Sequence, residues 1–302
     1  MDEPLVDVAA WVRWLGYAAL FAVVGACTFR LLVARTLPDP VLRHSLARRS
    51  ALIGAIAALV LLCTLLLRLY LQLEAFSDPE SPVSLEMAGP IITTTAWGSG
   101  WRWQMAGAIT ALTGLAAAFR WRAAWGLAAI GASVSVVAAV RTGHAIEHPW
   151  GALGTALQVA HLGAGAIWLG TLLLIVTAVY PALRHRPDDR EPLLAALVQG
   201  YSPMALTAGL VTIALGLLLG WTYVGGFGAL FSSTYGRTLI VKVLLLGGVA
   251  ATGAWNWRRV RPALGAAPGA TRLRRSATIE LVFGTLLLAV TAVLVALPAP
   301  EL

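Results

Sequence analysis

Runs of about twenty apolar residues recur along the chain, at 11–33, 51–73, 101–119, 123–140, 153–179, 203–223, 238–257 and 278–297. The hydrocarbon core of a bilayer is about 30 Å thick, and a helix rising 1.5 Å per residue crosses it in about 20 residues. Barrel strands would instead alternate apolar and polar residues over about ten positions, which these runs do not. Backbone polar groups inside lipid must be satisfied within their own segment, so each run reads as a spanning α-helix. Composition agrees, because a chain 59% hydrophobic and 12% charged has more apolar surface than a soluble core buries. The expected fold is an all-α polytopic bundle of about eight transmembrane helices, forming a single transmembrane domain over 1–302.

The formal net charge of +8 would raise the question of nucleic acid in a soluble chain. Here it is explained by loop asymmetry, so the expected surroundings are lipid and no nucleic acid. One set of loops carries Arg35, Arg43, Arg48 and Arg49, then Arg120 and Arg122, then Arg184, Arg186 and Arg190, then Arg258, Arg259, Arg261, Arg272, Arg274 and Arg275. The alternate loops, 74–97, 143–151 and 224–236, hold no Lys or Arg but contain Glu74, Asp78, Glu80, Glu86 and Glu147. Cytoplasmic loops are the basic ones, which places both termini on the periplasmic or external side. The start Met1-Asp2-Glu3-Pro4 lacks the basic region of a cleaved signal peptide, so the first run is expected to remain as a spanning helix. Ser202 and Pro203 mark the sixth helix start as cap and first-turn residue, with 193–200 as an interfacial lead-in. The loop at 74–97 is long enough to fold over the outer mouth.

Seven further cations lie in the runs or at their ends: Arg13, Arg30, Arg68, Arg102, Arg141, Arg237 and Lys242. All but Arg30 lie toward outer helix ends. Snorkelling to headgroups is one account of them; pairing with Glu74, Glu86 or Glu147 around an outer vestibule is the other.

Histidine is the sharper signal. His44 and His185 sit in basic loops and read as solvated. His144 and His148 are spaced i, i+4 in the outer segment, where Pro149 limits any helix. His161 lies about 12 Å inside the fifth run, where an imidazole needs a partner. Gly165 and Trp168 share its face. It is either a histidine hydrogen-bonded across a helix interface or a ligand, with His144 as nearest partner and His148 and Met105 as weaker candidates. Imidazole suits copper, zinc or haem iron about equally. The sulfur residues Cys63, Cys27, Met204 and Met105 are either core filling or soft stepping stones for Cu(I). Both cysteines lie in apolar runs and suggest no disulfide framework. No CxxC, MxxM or GxxxxGK[ST] stretch occurs, so an ATPase is not supported.

The stretch Tyr235-Gly236-Arg237-Thr238-Leu239-Ile240-Val241-Lys242, continued to Asn256-Trp257-Arg258-Arg259 and Pro262, resembles the YGR-x-L-x-x-K and N-x-R-R pattern of the copper resistance protein D (CopD) family. Tyr201-Ser202-Pro203-Met204, Glu280, Gly143-His144-Ala145, and His161 with Trp168-Leu169-Gly170 are similar to further family features. The likeness is strongest from about residue 142 and rests on topology before that, dividing the chain into helices 1–4 (1–141) and CopD-like helices 5–8 with the preceding loop (142–302). The resemblance implies bacterial inner-membrane proteins of copper uptake or resistance, often working with a periplasmic CopC-type partner. No CopC-like β-domain is visible here, so such a partner would come from another chain. His144, His161, Arg237 and Lys242 are the positions the resemblance singles out.

The function expected from this is copper transport across the inner membrane through a histidine-containing outer site. The alternatives are a b-type haem redox protein with His144 and His161 as axial ligands, and a non-transporting copper sensor or scaffold. The topology is directly testable: reporter tags in the basic loop at 258–275 should be cytoplasmic and tags at either terminus external. A cytoplasmic C-terminus would overturn the span count.

Overall fold

A computed structural model describes residues 8–77, 84–143, 150–184, 186, 189–224, 226–260 and 269–297. Among these residues there are helices and no strands. In chain order they are α1 (Val8–Thr28), continued by a π turn (Phe29–Val33); α2 (Pro40–Phe76); the short α3 (Ala88–Thr94); α4 (Ala96–Ala117); and α5 (Ala124–Val140). Then come α6 (Gly151–Leu174), continued by a π turn (Ile175–Val179) into α7 (Tyr180–Leu183); α8 (Arg190–Thr222); the short α9 (Phe227–Ser232); α10 (Thr234–Trp255), continued by a π turn (Asn256–Val260); and α11 (Gly269–Leu294).

The long helices coincide with the apolar runs of the sequence. Among the described residues six stretches are long and apolar enough to cross a membrane: Val8–Thr36, Pro40–Phe76, Gly151–Leu183, Arg190–Thr222, Thr234–Arg259 and Thr271–Leu294. α5 is apolar but shorter, and α4, with Gly, Ser, Gln104 and Arg102, is not among the six. The outward faces are apolar: on α2, Leu52, Ile56, Leu59 and Leu66 are exposed at helical spacing. Such a stripe is costly in water and at home in lipid. The chain is a multi-pass helical membrane protein.

Small residues set the packing inside. A Cβ at Gly131 of α5 would strike the Ala111 backbone of α4, and one at Gly114 would strike Ala128, so these two helices meet backbone to backbone. Gly25 of α1 and Gly170 of α6 are in the same relation. α1 is buried continuously over residues 19–29 and touches α2, α5, α6 and α11, which makes it the post around which the others stand.

Two local expectations differ from the structure. The sixth helix does not begin at Ser202; α8 starts at Arg190 and runs through Pro203. Pro203 removes one backbone donor, and the Ser202 hydroxyl turns back to donate to the Val198 carbonyl at 2.7 Å. The preceding turns hold because Leu193, Leu194, Leu197 and Val198 are buried, and that burial outweighs the proline. Residues 91–95, read as part of a long loop, instead build α3 and the cap of α4, where the Thr95 hydroxyl accepts from Gly98 N at 2.8 Å.

At the basic end, Asp39 caps α2 by accepting from Val41 N at 2.8 Å and Leu42 N at 3.1 Å, and it pairs with Arg186. The Leu42 N–H, then the Arg186 guanidinium, hold its carboxyl below the ordinary value of 3.8. A carboxyl depressed by folding stabilises above its unfolded pKa and loses that contribution as pH falls through the folded one. Asp39→Asn keeps a capping oxygen but not the charge. Its thermal stability should fall below wild type at neutral pH, and the gap should close as pH drops below 3.8. A gap independent of pH in thermal scans would mean that the charge contributes nothing.

Candidate functional site

α6, α8, α10 and α11 enclose a cavity of about 160 Å³, closed on one side by Tyr17 and Phe21 of α1 and by Ala139, Val140 and Gly143 at the end of α5. Each helix presents one face. α6 contributes Gln158, His161, Leu162, Gly165, Trp168 and Leu169, and α10 contributes Tyr235, Leu239, Lys242, Leu246 and Val249, each set recurring once per helical turn. α8 supplies Thr212, Gly216, Leu219 and Gly220, and α11 supplies Leu287, Leu288, Thr291 and Leu294. The walls are mostly apolar with a few convergent polar groups, the usual character of a small-ligand site.

His161 is the best-defined of those groups. It stands ten residues past Gly151, the first residue of α6, or about 15 Å along the helix at 1.5 Å per residue. Its Nδ1 lies 2.9 Å from the Thr212 carbonyl oxygen. A carbonyl can only accept, so Nδ1 donates, and in the neutral ring the lone pair is on Nε2. A backbone acceptor that fixes the tautomer in this way is the usual support of a metal-binding imidazole. Gly216, one turn beyond Thr212, makes room: a Cβ there would lie 2.7 Å from the imidazole Cε1.

Lys242 of α10 lines the same cavity and is the one Lys, Arg, Asp or Glu among the described lining residues. Tyr223 and Tyr235 stand near each other, ring centres 6.5 Å apart. Trp168 lines the cavity, and its indole N–H donates to Glu280 Oε1 of α11, outside the lining, at 3.1 Å. Glu280 is buried, and its Oε2 accepts from Asn256 Nδ2 at 3.1 Å. Tyr201 of α8 donates its hydroxyl to the Trp168 carbonyl at 3.1 Å.

The other residues singled out by sequence are dispersed. His144, His148 and Glu147 lie outside the described residues, as do Asp78, Glu80 and His185. Met105 packs into the core from α4 and does not line the cavity. Arg102 and Arg237 are exposed. Arg68 donates to the Thr142 hydroxyl at 3.1 Å, and Arg13 to the Ala292 carbonyl at 3.1 Å. Neither pairs with Glu74 or Glu86, which are exposed; the ion pair found among the described residues is Arg186–Asp39. Cys27 is buried in α1, Cys63 is exposed on α2 and Met204 is half-buried on α8, and none of them lines the cavity. None of the described residues from the 74–97 loop lines it either. Among the described residues no three His, Cys, Asp or Glu side chains gather to hold a metal ion. Of the two axial ligands that the haem alternative names, His144 and His161, the described residues lining the cavity include His161.

Sequence reasoning missed Thr212 and Gly216 as partners of His161, and the role of Asn256. An acid inside an apolar run, Glu280, was a usable signal; a backbone carbonyl carries none.

Comparison with known proteins bears on this arrangement. The family model described as copper resistance protein D-like, N-terminal domain, matches residues 1–155, and that of copper resistance protein D matches residues 195–294. The chain belongs to the copper resistance protein D family. The match over 1–155 extends the likeness to the half where sequence reading had only topology. The copper transport protein CutJ of Bacillus subtilis is 30% identical over 159 residues, covering 53% of this chain and 28% of CutJ. The match of this CopD-family chain thus spans well under half the length of that relative. No solved structure matches it.

The ring position is testable without any assay of function. Gly216→Ala should force the imidazole aside and break its bond to Thr212, which nitrogen NMR of labelled histidine would read as a changed His161 tautomer signal. A spectrum identical to wild type would show that the ring is not held as described.

Proposed function

We propose that this chain carries copper across the bacterial inner membrane, taking it from the periplasmic side into the cavity that holds His161. The observation that carries this reading is the imidazole itself: it sits deep in a membrane helix, its Nδ1–H is given to Thr212, and Nε2 is left with a lone pair in a ring lining a cavity. Membership of a copper-resistance family supports copper as the cargo, and the relative CutJ is named as a copper transport protein. The arginine asymmetry of the loops supports a periplasmic mouth.

His161 supplies one nitrogen ligand, and His144, in the segment just before α6, supplies the second. His148 is the weaker candidate beside them, and Met105, packed away from the cavity, weaker still. Borderline-soft imidazole accepts copper in either oxidation state. Lys242 opposes a bare cation in the same cavity, so copper passes with an anionic ligand or beside a carboxylate such as Glu147. A periplasmic CopC-type protein from another chain would deliver it. The sequence contains no GxxxxGK[ST] stretch, so movement follows a gradient.

His161→Gln separates this reading from a structural histidine. A glutamine can replace much of the hydrogen bonding but is a poor substitute for an imidazole nitrogen on copper. Expression and thermal stability should stay near wild type, while bound copper and copper-dependent uptake are lost. His144→Gln should behave alike if both residues share one ion. Full copper stoichiometry and uptake in His161→Gln would sink the proposal, and a Soret band in the purified protein would replace copper with haem.

A further inference from the structure

We propose that Glu280 is a proton-binding site whose protonation releases Trp168, the floor of the cavity, and so couples copper movement to a proton gradient. The inference rests on the transport reading above, but on different residues.

Trp168 is, with Leu169, the cavity-lining residue of α6 farthest from Gly151, and its indole is held by a group outside the lining. Nε1 donates to Glu280 Oε1 at 3.1 Å, and the Trp168 carbonyl accepts from the Tyr201 hydroxyl at 3.1 Å. Glu280 is 5% exposed and does not line the cavity. Its other oxygen accepts from Asn256 at 3.1 Å, the first residue of the π turn that ends α10. Just beyond it in that turn, Arg258 and Arg259 are exposed. The carboxyl therefore stands between the cavity floor and the basic end of the bundle, and π turns of this kind recur at functional positions.

Both of its hydrogen-bond donors are neutral. The titratable and charged groups on the elements packed against its helix are Tyr235, Arg237 and Lys242 on α10, Arg258 and Arg259 after it, His161 on α6, Arg190, Glu191 and Tyr201 on α8 with Tyr223 at its end, and Arg13, Tyr17 and Cys27 on α1; Tyr180 lies on α7, and Arg272, Arg274 and Arg275 on its own helix. α1 reaches α11 through Arg13 and Trp14, which bond the Ala292 and Thr285 carbonyls nearer the other end. None of these forms an ion pair with Glu280 among the described residues. A carboxylate held by neutral donors alone can exchange its charge for a proton without leaving a cation unpaired behind it.

The consequence is asymmetric. Hydrogen bonds to an ionised acceptor are roughly twice as strong as neutral ones, so a proton on Glu280 weakens the tether on the Trp168 indole. On the other side Asn256 can answer the change. Its Oδ1 is buried without a partner, and a flipped carboxamide would accept from a protonated Oε2. The step is a proton transfer only: hydronium at the basic end gives its proton to Oε2 and leaves water, and the reverse step restores the tether.

Two measurements on the full-length protein test this. A pH step should produce an infrared difference band of a protonated carboxyl that disappears in Glu280→Gln. In proteoliposomes, copper flux should respond to an imposed pH gradient in wild type, and Glu280→Gln should lose that response completely. The Glu280→Gln substitution is not expected to unfold the site, because with Asn256 flipped the new carboxamide keeps both hydrogen bonds. Trp168→Phe keeps the bulk of the floor without its N–H and should leak copper with no gradient imposed. A band unchanged in Glu280→Gln, a pH response retained by that variant, or a Trp168→Phe protein as tight as wild type would each overturn the inference. A Glu280 band in a wild-type protein that moves no copper would leave the proton site standing and remove the transport reading.

Discussion

A histidine some 15 Å along a helix that crosses lipid has no bulk water to bond, and the fold must supply what water would. It does so with the Thr212 carbonyl at 2.9 Å and with the absence of a side chain at Gly216. That single bond fixes which imidazole nitrogen carries the proton, which face of α6 meets α8, and where the cavity between them opens. The same constraint governs the other polar groups of the bundle. The Trp168 indole finds Glu280, the Trp101 indole finds the Leu65 carbonyl at 2.9 Å, and threonine hydroxyls along the helices fold back to carbonyls one turn earlier. Where a polar side chain is paired across helices in this way, the pairing fixes a helix contact.

Those contacts make one site out of two segments. His161, Lys242, Trp168 and Glu280 all belong to the second half of the chain, yet Tyr17 and Phe21 of α1 complete the cavity wall. α1 can do so because Gly25 and Gly170 let its backbone press against α6, and because Arg13 and Trp14 reach carbonyls of α11. The N-terminal domain matched over 1–155 therefore contributes walls of the site.

The helices were legible because hydrocarbon thickness dictates the length of an apolar run, and that length is written in composition. Boundaries were less so. Ser202-Pro203 is a good local start signal, but four buried side chains in the preceding turns carried α8 through it. The expected pairing of outer arginines with Glu74 and Glu86 failed for a related reason: Arg68 and Arg13 bond a hydroxyl and a helix-end carbonyl instead. His161 stood out as a buried base in an apolar helix. Its partner did not, since every residue has a carbonyl and only the crossing of α6 with α8 selects Thr212. Glu280 was visible as an acid in a spanning run, whereas its tie to Trp168 joins residues 112 apart.

The placement of Lys242 and Glu280 gives the cavity a direction. Lys242 lines it, and Glu280 lies behind its floor. Two unit charges about 10 Å apart interact by about 2 kcal/mol at an effective dielectric of 20, enough to alter occupancy more than tenfold. A cation beside His161 is therefore repelled by Lys242 wherever it sits in the cavity, and the attraction of an ionised Glu280 acts from the far side of Trp168. Under the transport reading, a bare copper ion would be unfavourable at the ligand and favourable just past the floor, so the floor must hold until something neutralises the acid. Protonation does that, removing the attraction and the tether together. The ion then moves on without being trapped at a buried carboxylate, which is the failure that a permanently charged acid on the pathway would otherwise cause.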